Sequence, residues 1–364
     1  MGIIILVVIG LLSGFWLFRS NTIPGGRGEL SARGRLSVII PARNEAANLP
    51  HLLDSLRSQT CLPYEIIVVD DFSHDRTRAI AESYGVKVIR NSELPEGWTG
   101  KNWAVWNGYQ QASGDLIAFL DADIRLEPKA LEFLLHARER AGGVISVVPY
   151  HYTVKFYEKL AMITNILGVF AFMSPFENTN PRKGLYGSCI LTAREDYEKI
   201  GGHQSVKSEL LDDLNLGARY AQAGIPVVNF IGSGLVSFRM YPGGIRHEIE
   251  GFAKGAALST SALKAGTITL TAVWVAGLIV SEAALFMWHT SWGLPMLIGY
   301  LLYMLQIFYF VRHVGRFGKV MPVLHAVSGF FFLFVMLYSV YRVVFHGKVA
   351  WKGRHIKVGR RMDE

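Results

Sequence analysis

The stretch Leu116-Ile117-Ala118-Phe119-Leu120-Asp121-Ala122-Asp123 opens on five apolar residues and closes on two carboxylates separated by an alanine. A run with no polar residue to mark a solvent face predicts a strand buried on both sides, as in a parallel sheet under helices. In an extended chain, positions i and i+2 point to one side, so Asp121 and Asp123 face a common site. Ligands of open α/β sheets bind beyond the carboxyl ends of the strands. Two acids placed there suit a hard divalent cation that in turn holds a diphosphate. Asp is also an ordinary turn residue. The neighbouring strand ends therefore have to decide.

Working outward, residues 36–40 predict a first strand, followed by Pro41-Ala42-Arg43-Asn44-Glu45. Leu49, Leu52, Leu53 and Leu56 then fall at i, i+3, i+4 and i+7, the stripe of a helix facing a sheet. A second apolar strand, 65–69, again runs into acids, Asp70 and Asp71. A helix near 77–84, a short strand at 86–89, a loop at 91–100 and a helix at 101–112 lead into the Asp-Ala-Asp strand. This alternation predicts a parallel sheet with right-handed crossovers. No Gly-x-Gly-x-x-Gly follows the first strand and no Gly-Lys-Ser/Thr loop occurs, which disfavours dinucleotide and P-loop readings.

The 364 residues leave over a hundred beyond one ordinary domain. A hydrophobic content of 51% and a mean hydropathy of +0.26 point to membrane segments. The 37 basic against 29 acidic residues give a net charge of +8. No nucleic-acid motif accompanies that charge, and the basic residues cluster beside apolar runs, so an anionic membrane is the expected partner. Cys61 and Cys189 alone imply no disulfide framework.

The motifs Pro41-Ala-Arg-Asn-Glu45, Val69-Asp-Asp71, Gly100-Lys101 and Asp121-Ala-Asp123, in this order, resemble those of family 2 inverting glycosyltransferases with a GT-A fold. The expected fold is thus α/β, a mostly parallel GT-A sheet joined to transmembrane or interfacial helices. The resemblance implies that Pro41, Ala42, Asn44, Glu45, Asp71, Lys101 and Asp121 bind the donor, with Asp71 on the uracil side. It implies that Asp123, with Asp121, holds Mg²⁺ or Mn²⁺. On the residues alone, Glu45 also reads as a first-turn acid and Asp70-Asp71 as turn formers.

The stretches 94–103, 146–150, 238–241 and 351–354 bring the chain nearer to bacterial 4,4'-diaponeurosporenoate glycosyltransferases, membrane enzymes of carotenoid biosynthesis. That likeness implies UDP-glucose as donor and a carotenoid carboxyl as acceptor. Glycosyltransferases of sphingoid, hopanoid or polyprenyl-phosphate lipids share several of the features, so a lipid hydroxyl is the alternative. A non-catalytic scaffold is disfavoured by the intact acids. Asp212-Asp213 precedes a helical spacing that ends at Gly224, and by residue type alone it serves equally as a base or as a helix cap. Family 2 enzymes carry an acidic pair here, which implies that Asp213 is the base. Asp212, Trp98, Tyr241 and Arg239 are the candidates for acceptor-side or supporting roles. The Gln-x-x-Arg-Trp motif of processive synthases is absent, which disfavours polymer synthesis.

Residues 1–18 predict a short retained anchor and 19–35 a linker whose arginines place the following domain, 36–237, in the cytoplasm. The stripe Leu160, Ile163, Leu167 and Phe170 fits either an interfacial or a core helix. Residues 238–264, with Ile245, Ile249, Phe252 and Ala256, read as an interfacial amphipathic segment. Residues 265–346 hold apolar runs at 268–288, 294–311 and 321–345, each near the ~20 residues that span a bilayer. Trp288, Trp292 and Tyr303 suit interface anchoring, and Glu282 suits a structural role near a helix end. Three full crossings would put the basic tail, 347–364, outside, so two crossings with one re-entrant or interfacial segment are expected.

Overall fold

The computed structural model describes residues 2–25, 34–259, 262–287, 289–342, 348–351 and 354–357. Trp288, Arg27, Arg33, the centre of the 351–354 stretch and the end of the basic tail lie outside them. The chain divides into two compact units, Ser20–Tyr150 with Thr179–Phe238, and Met1–Arg19 with His151–Asn178 and Arg239–Glu364.

The second unit opens the chain with α1 (Gly2–Leu17); the first is built on β1 (Leu36–Ala42), α2 (Leu49–Arg57), β2 (Glu65–Asp70), α3 (Thr77–Ser83), β3 (Lys87–Arg90), α4 (Gly100–Gln110) and β4 (Leu116–Leu120). It continues through β5 (Ile124–Leu126), α5 (Ala130–Ala141) and β6 (Val144–Val148). After β7 (Tyr150–Tyr152) and α6 (Met162–Met173), the chain returns as β8 (Cys189–Ala193), α7 (Arg194–Lys199), α8 (Asp212–Gln222), β9 (Val227–Ile231) and β10 (Val236–Phe238).

Seven strands form one sheet in the order β3-β2-β1-β4-β8-β6-β9. All pairs are parallel except those of β8 with β4 and β6. The alternation along each strand explains why both faces are apolar. Val38, Ile40, Ala118 and Leu120 join Leu52, Leu53 and Leu56 of α2 in one core. Ile39, Ile117 and Phe119 join Val105, Tyr197 and Leu216 in the other. Each fully buried Val, Leu, Ile or Phe among them contributes about 1.5–3 kcal/mol. The same alternation carries Asp121 onto the face shared with α4 and α8. Register does the rest: Ala42 pairs with Asp70, and Ile39 with Phe119, so the ends of β1, β2 and β4 emerge side by side.

The other unit is helical, with α1, α6, α9 (Ile245–Ser259), α10 (Ala265–Glu282), α11 (Ala284–Met287), α12 (Gly293–Val314), α13 (Val320–Val323) and α14 (His325–Tyr341). Residues Tyr157–Thr179, α10 and α12 are long and apolar enough to cross a membrane; α1 and α14 are shorter apolar helices. A Cβ on Gly10 of α1 would sit 3.3 Å from the Gly277 Cα of α10. Small residues thus let these two backbones approach closely. Buried Ile163, Ile166, Val169 and Phe170 line one face of α6. Ile249, Phe252 and Ala253 of α9 pack with Phe331 and Val335 of α14 while Ile245 stays exposed. The run expected at 321–345 breaks into α13 and α14, where Leu324 caps both.

Candidate active site

Beyond β1, Asn44 adopts a left-handed φ of 54°, which Asn tolerates better than most residues. Its N–H donates to Ser73 Oγ at 3.0 Å and its Oδ1 accepts from the His74 N–H at 2.8 Å. Next to it, the Glu45 N–H donates to Thr77 Oγ1 at 2.7 Å and the Ala46 N–H to Asp75 Oδ2 at 3.1 Å. The loops after β1 and β2 are therefore stitched together. Burial pushes the Asp75 carboxyl up, but hydrogen bonds from Thr77 and Ala46 outweigh it and hold it below the usual range. Asp71 is buried, its N–H donating to the Ala42 carbonyl at 2.8 Å. Its carboxylate lies 3.7 Å from Arg43.

Thr99 caps α4, accepting from the Asn102 N–H at 3.3 Å. Asn102 Nδ2 in turn donates to the carbonyls of Val206, Lys207 and Glu209, at 2.9, 3.2 and 3.3 Å. This clip ties the helix carrying Lys101 to the segment that leads into α8. Lys101 Nζ lies 3.0 Å from Asp121 Oδ1. Burial would pull the Lys101 ammonium down, yet the charges of Asp121, Asp212 and Asp213 hold it well above its ordinary value.

Asp212 and Asp213 begin α8; Leu211 occupies the cap position, and no side chain caps the helix. Both acids sit in the first turn, where the helix dipole favours negative charge. Asp213 Oδ2 accepts from the Gly187 N–H at 2.9 Å, and Oδ1 from the Leu214 N–H at 3.2 Å. Pro41, Lys101, Asp121, Gly187, Asp212 and Asp213 line one cavity. Asn44, Glu45 and Asp71 belong to the adjoining loop pair, and Ala42 is buried at the end of β1.

The remaining expected residues sit elsewhere. Trp98 rests 5.3 Å from Trp103 and 6.3 Å from Trp106, ring to ring. Arg239 and Tyr241 belong to the helical unit. There, Arg239 Nη2 is 2.6 Å from the buried Glu158 carboxylate, and Tyr241 packs on Phe252.

Asp123 follows Asp121 in the turn that enters β5. Among the described residues, no group of three or more His, Cys, Asp or Glu is arranged to hold a metal. Asp121 lines the cavity, and a Mg²⁺-type ion needs only one or two carboxylates, because it keeps waters and takes its other ligands from phosphates. Asp75, Asn102, Gly187 and His203 escaped the sequence reading. Gly187 and His203 carry no motif, and only contact with Asp213 and Asp212 reveals them.

Residues 37–201 match Glycosyl transferase family 2. The chain is 33% identical over 334 residues to the 4,4'-diaponeurosporenoate glycosyltransferase of Staphylococcus aureus strain USA300, covering 89% of each. The protein of that name from strain MRSA252 matches equally, at 33% over 335 residues and 89% of each. The chain belongs to glycosyltransferase family 2. Its fold is GT-A-like: a mannosyltransferase from Pyrobaculum calidifontis, solved in complex with GDP-Man and Mn²⁺, superposes with a TM-score of 0.56. That likeness covers 94% of this glycosyltransferase and 98% of the other chain, at 17% identity.

Proposed function

We propose that this glycosyltransferase moves glucose from UDP-glucose to a membrane lipid, with inversion, and that the acceptor is the carboxyl of 4,4'-diaponeurosporenoate. The observation that carries the reading is Lys101, held among Asp121, Asp212 and Asp213 in one cavity at the strand ends. The name and extent of the Staphylococcus aureus relatives support the acceptor. Pro41, Ala42, Asn44, Glu45 and Asp71 form the nucleoside side of the site, and Asp121 and Asp123 would hold Mg²⁺ or Mn²⁺. When bound, that ion offsets the charge gathering on the leaving diphosphate.

Lys101 adds a cation to the same task, and its strongly held charge persists throughout the neutral range. An acceptor oxygen attacks the anomeric carbon as the bond to the diphosphate oxygen breaks, and UDP leaves with that electron pair. Asp213 is fixed by the Gly187 N–H on the cavity wall, where it can take a proton from an acceptor hydroxyl. That fixed carboxylate favours the second reading, an alcohol lipid. A carboxylic acid, with an ordinary pKa near 4, is already ionised at neutral pH and offers Asp213 no proton.

The test compares two variants on two lipids. Asp123→Asn should lower transfer by roughly a hundredfold or more on either lipid. Asp213→Asn should be much milder on 4,4'-diaponeurosporenoate at pH 7, and as severe as Asp123→Asn on ceramide. Equal, severe loss on the carotenoid acid would overturn this role of Asp213. Full activity of Asp123→Asn in excess chelator would remove the metal.

A further inference from the structure

His203 follows Gly201-Gly202 and is buried against the site without belonging to any of its motifs. Its backbone N–H donates to the Tyr197 hydroxyl at 2.9 Å, and its Nδ1 lies 2.7 Å from that same oxygen. A phenol that accepts from the backbone still has one proton to give. Giving it to Nδ1 leaves the ring proton on Nε2. Nε2 in turn faces Asp212 Oδ2 at 4.0 Å. We infer that His203 is a positioning residue that acts as a neutral ring, its Nε2–H orienting Asp212 beside Lys101, with Tyr197 selecting the tautomer.

The surroundings support a neutral ring. Burial, reinforced by the charge of Lys101, pushes the His203 imidazole down to about 3. The groups that face it are Lys101 from α4, Asp212 from α8, Tyr197 from α7 and the edge of Phe119 from β4, 5.2 Å away. Tyr197 is itself fully buried and clamped between Tyr109, at 4.5 Å, and Phe119, at 5.1 Å. Its hydroxyl has little freedom to turn away. The separation of 4.0 Å exceeds a hydrogen bond. Catalytic contacts are often long before substrate binds and shorten in the complex.

The inference rests on the transfer reading above, because Asp212 and Lys101 matter only if the cavity takes the donor. A positioned Asp212 keeps Lys101 aimed at the leaving diphosphate. The effect should therefore appear in the chemical step more than in donor affinity. His203→Gln keeps an N–H near the Nε2 position without a titrating ring, whereas His203→Leu removes the donor.

Four proteins are assayed with UDP-glucose and 4,4'-diaponeurosporenoate: wild type, His203→Gln, His203→Leu and Asp123→Asn. Melting temperature and the dissociation constant for UDP-glucose are measured alongside. His203→Leu should lower kcat by roughly tenfold to a hundredfold, with the dissociation constant nearly unchanged. His203→Gln should recover most of the rate and keep the wild-type pH profile between 5 and 8. Loss of a limb from that profile in His203→Gln would show a titrating histidine and overturn the neutral ring. Equal loss in both variants, tracking melting temperature, would reduce His203 to a packing residue and overturn the inference. A fully active Asp123→Asn would instead defeat the reading of the site itself.

Discussion

Gly187 has no room for a side chain: a Cβ there would lie 2.4 Å from Asp213 Oδ2, closer than real contacts allow. Gly187→Ala must therefore push the carboxylate off the backbone N–H that fixes it. On an alcohol acceptor, transfer should fall by roughly tenfold or more while UDP-glucose binding is kept. Titration of the donor beside a rate assay separates the two, and an unchanged rate would show that the carboxylate position does not matter. At this scale the sequence was partly legible. Acids at the ends of apolar runs singled out Asp71 and Asp121 as candidates that emerge beyond β2 and β4. The expected common facing of Asp121 and Asp123 assumed an extended chain, whereas β4 ends at Leu120 and Asp123 lies in the turn that follows. Gly187 was not legible, since its role is set by a residue 26 positions away. Nor were Asp75 and Asn102, whose links to Ala46 and to Val206, Lys207 and Glu209 reach segments that no spacing rule connects.

Among the elements, α9 carries a group with no evident compensation. Glu248 is buried, and neither carboxylate oxygen has a hydrogen-bond partner. Burial, with the nearby charge of Glu158, pushes its carboxyl up to about 8. A folded-state value above the ordinary one means that the folded protein holds this proton more tightly than the unfolded chain. Stability from Glu248 is thus full below about 4.5 and is lost as pH rises through about 8. Glu248→Gln should melt higher than wild type at pH 8.5 and show little difference at pH 4.5; parallel curves would refute the assignment. A second polar set joins three apolar helices: Trp274 Nε1 donates to Gln306 Oε1 at 2.8 Å, and Gln306 Nε2 to the Leu11 carbonyl at 2.7 Å. Gln306→Leu should cost about 0.6–1.7 kcal/mol, read as a lower melting temperature in detergent. The alternation of strands and helices through 36–120 was legible because the main strands are apolar runs and α2 carries a helical stripe of leucines. The antiparallel β8 was not, because its strand partners are fixed only after the chain returns from the helical unit. The break between α13 and α14 also escaped, as an apolar run shows no period at which to cut it.

For the whole molecule, the question is which side of a membrane each charged stretch occupies. Arg19, Arg27, Arg33 and Arg35 follow α1, and Arg312, Arg316 and Lys319 end or follow α12. Positive residues near span ends favour the cytoplasm, so the expectation is that both clusters lie on one side. If α10 leads outward and α12 returns, the short stretch between them is outside. The 17-residue α14 is only one residue shorter than α10, so length does not separate the two and the charge of the tail has to decide. If α14 turns back without crossing, the basic tail stays with the other cationic clusters. Apolar pattern gives the candidate spans, but charge bias has to choose their direction, which is why hydropathy alone left the number of crossings open. The expectation is tested with exposed single cysteines in a background lacking Cys61 and Cys189. Ser291→Cys should react with an impermeant maleimide in intact cells. Glu96→Cys should react only after permeabilisation, as should a cysteine appended after Glu364. Rapid labelling of Glu96→Cys in intact cells would put the sugar-nucleotide site outside and reverse the orientation. Labelling of the appended cysteine alone would instead make α14 a full crossing.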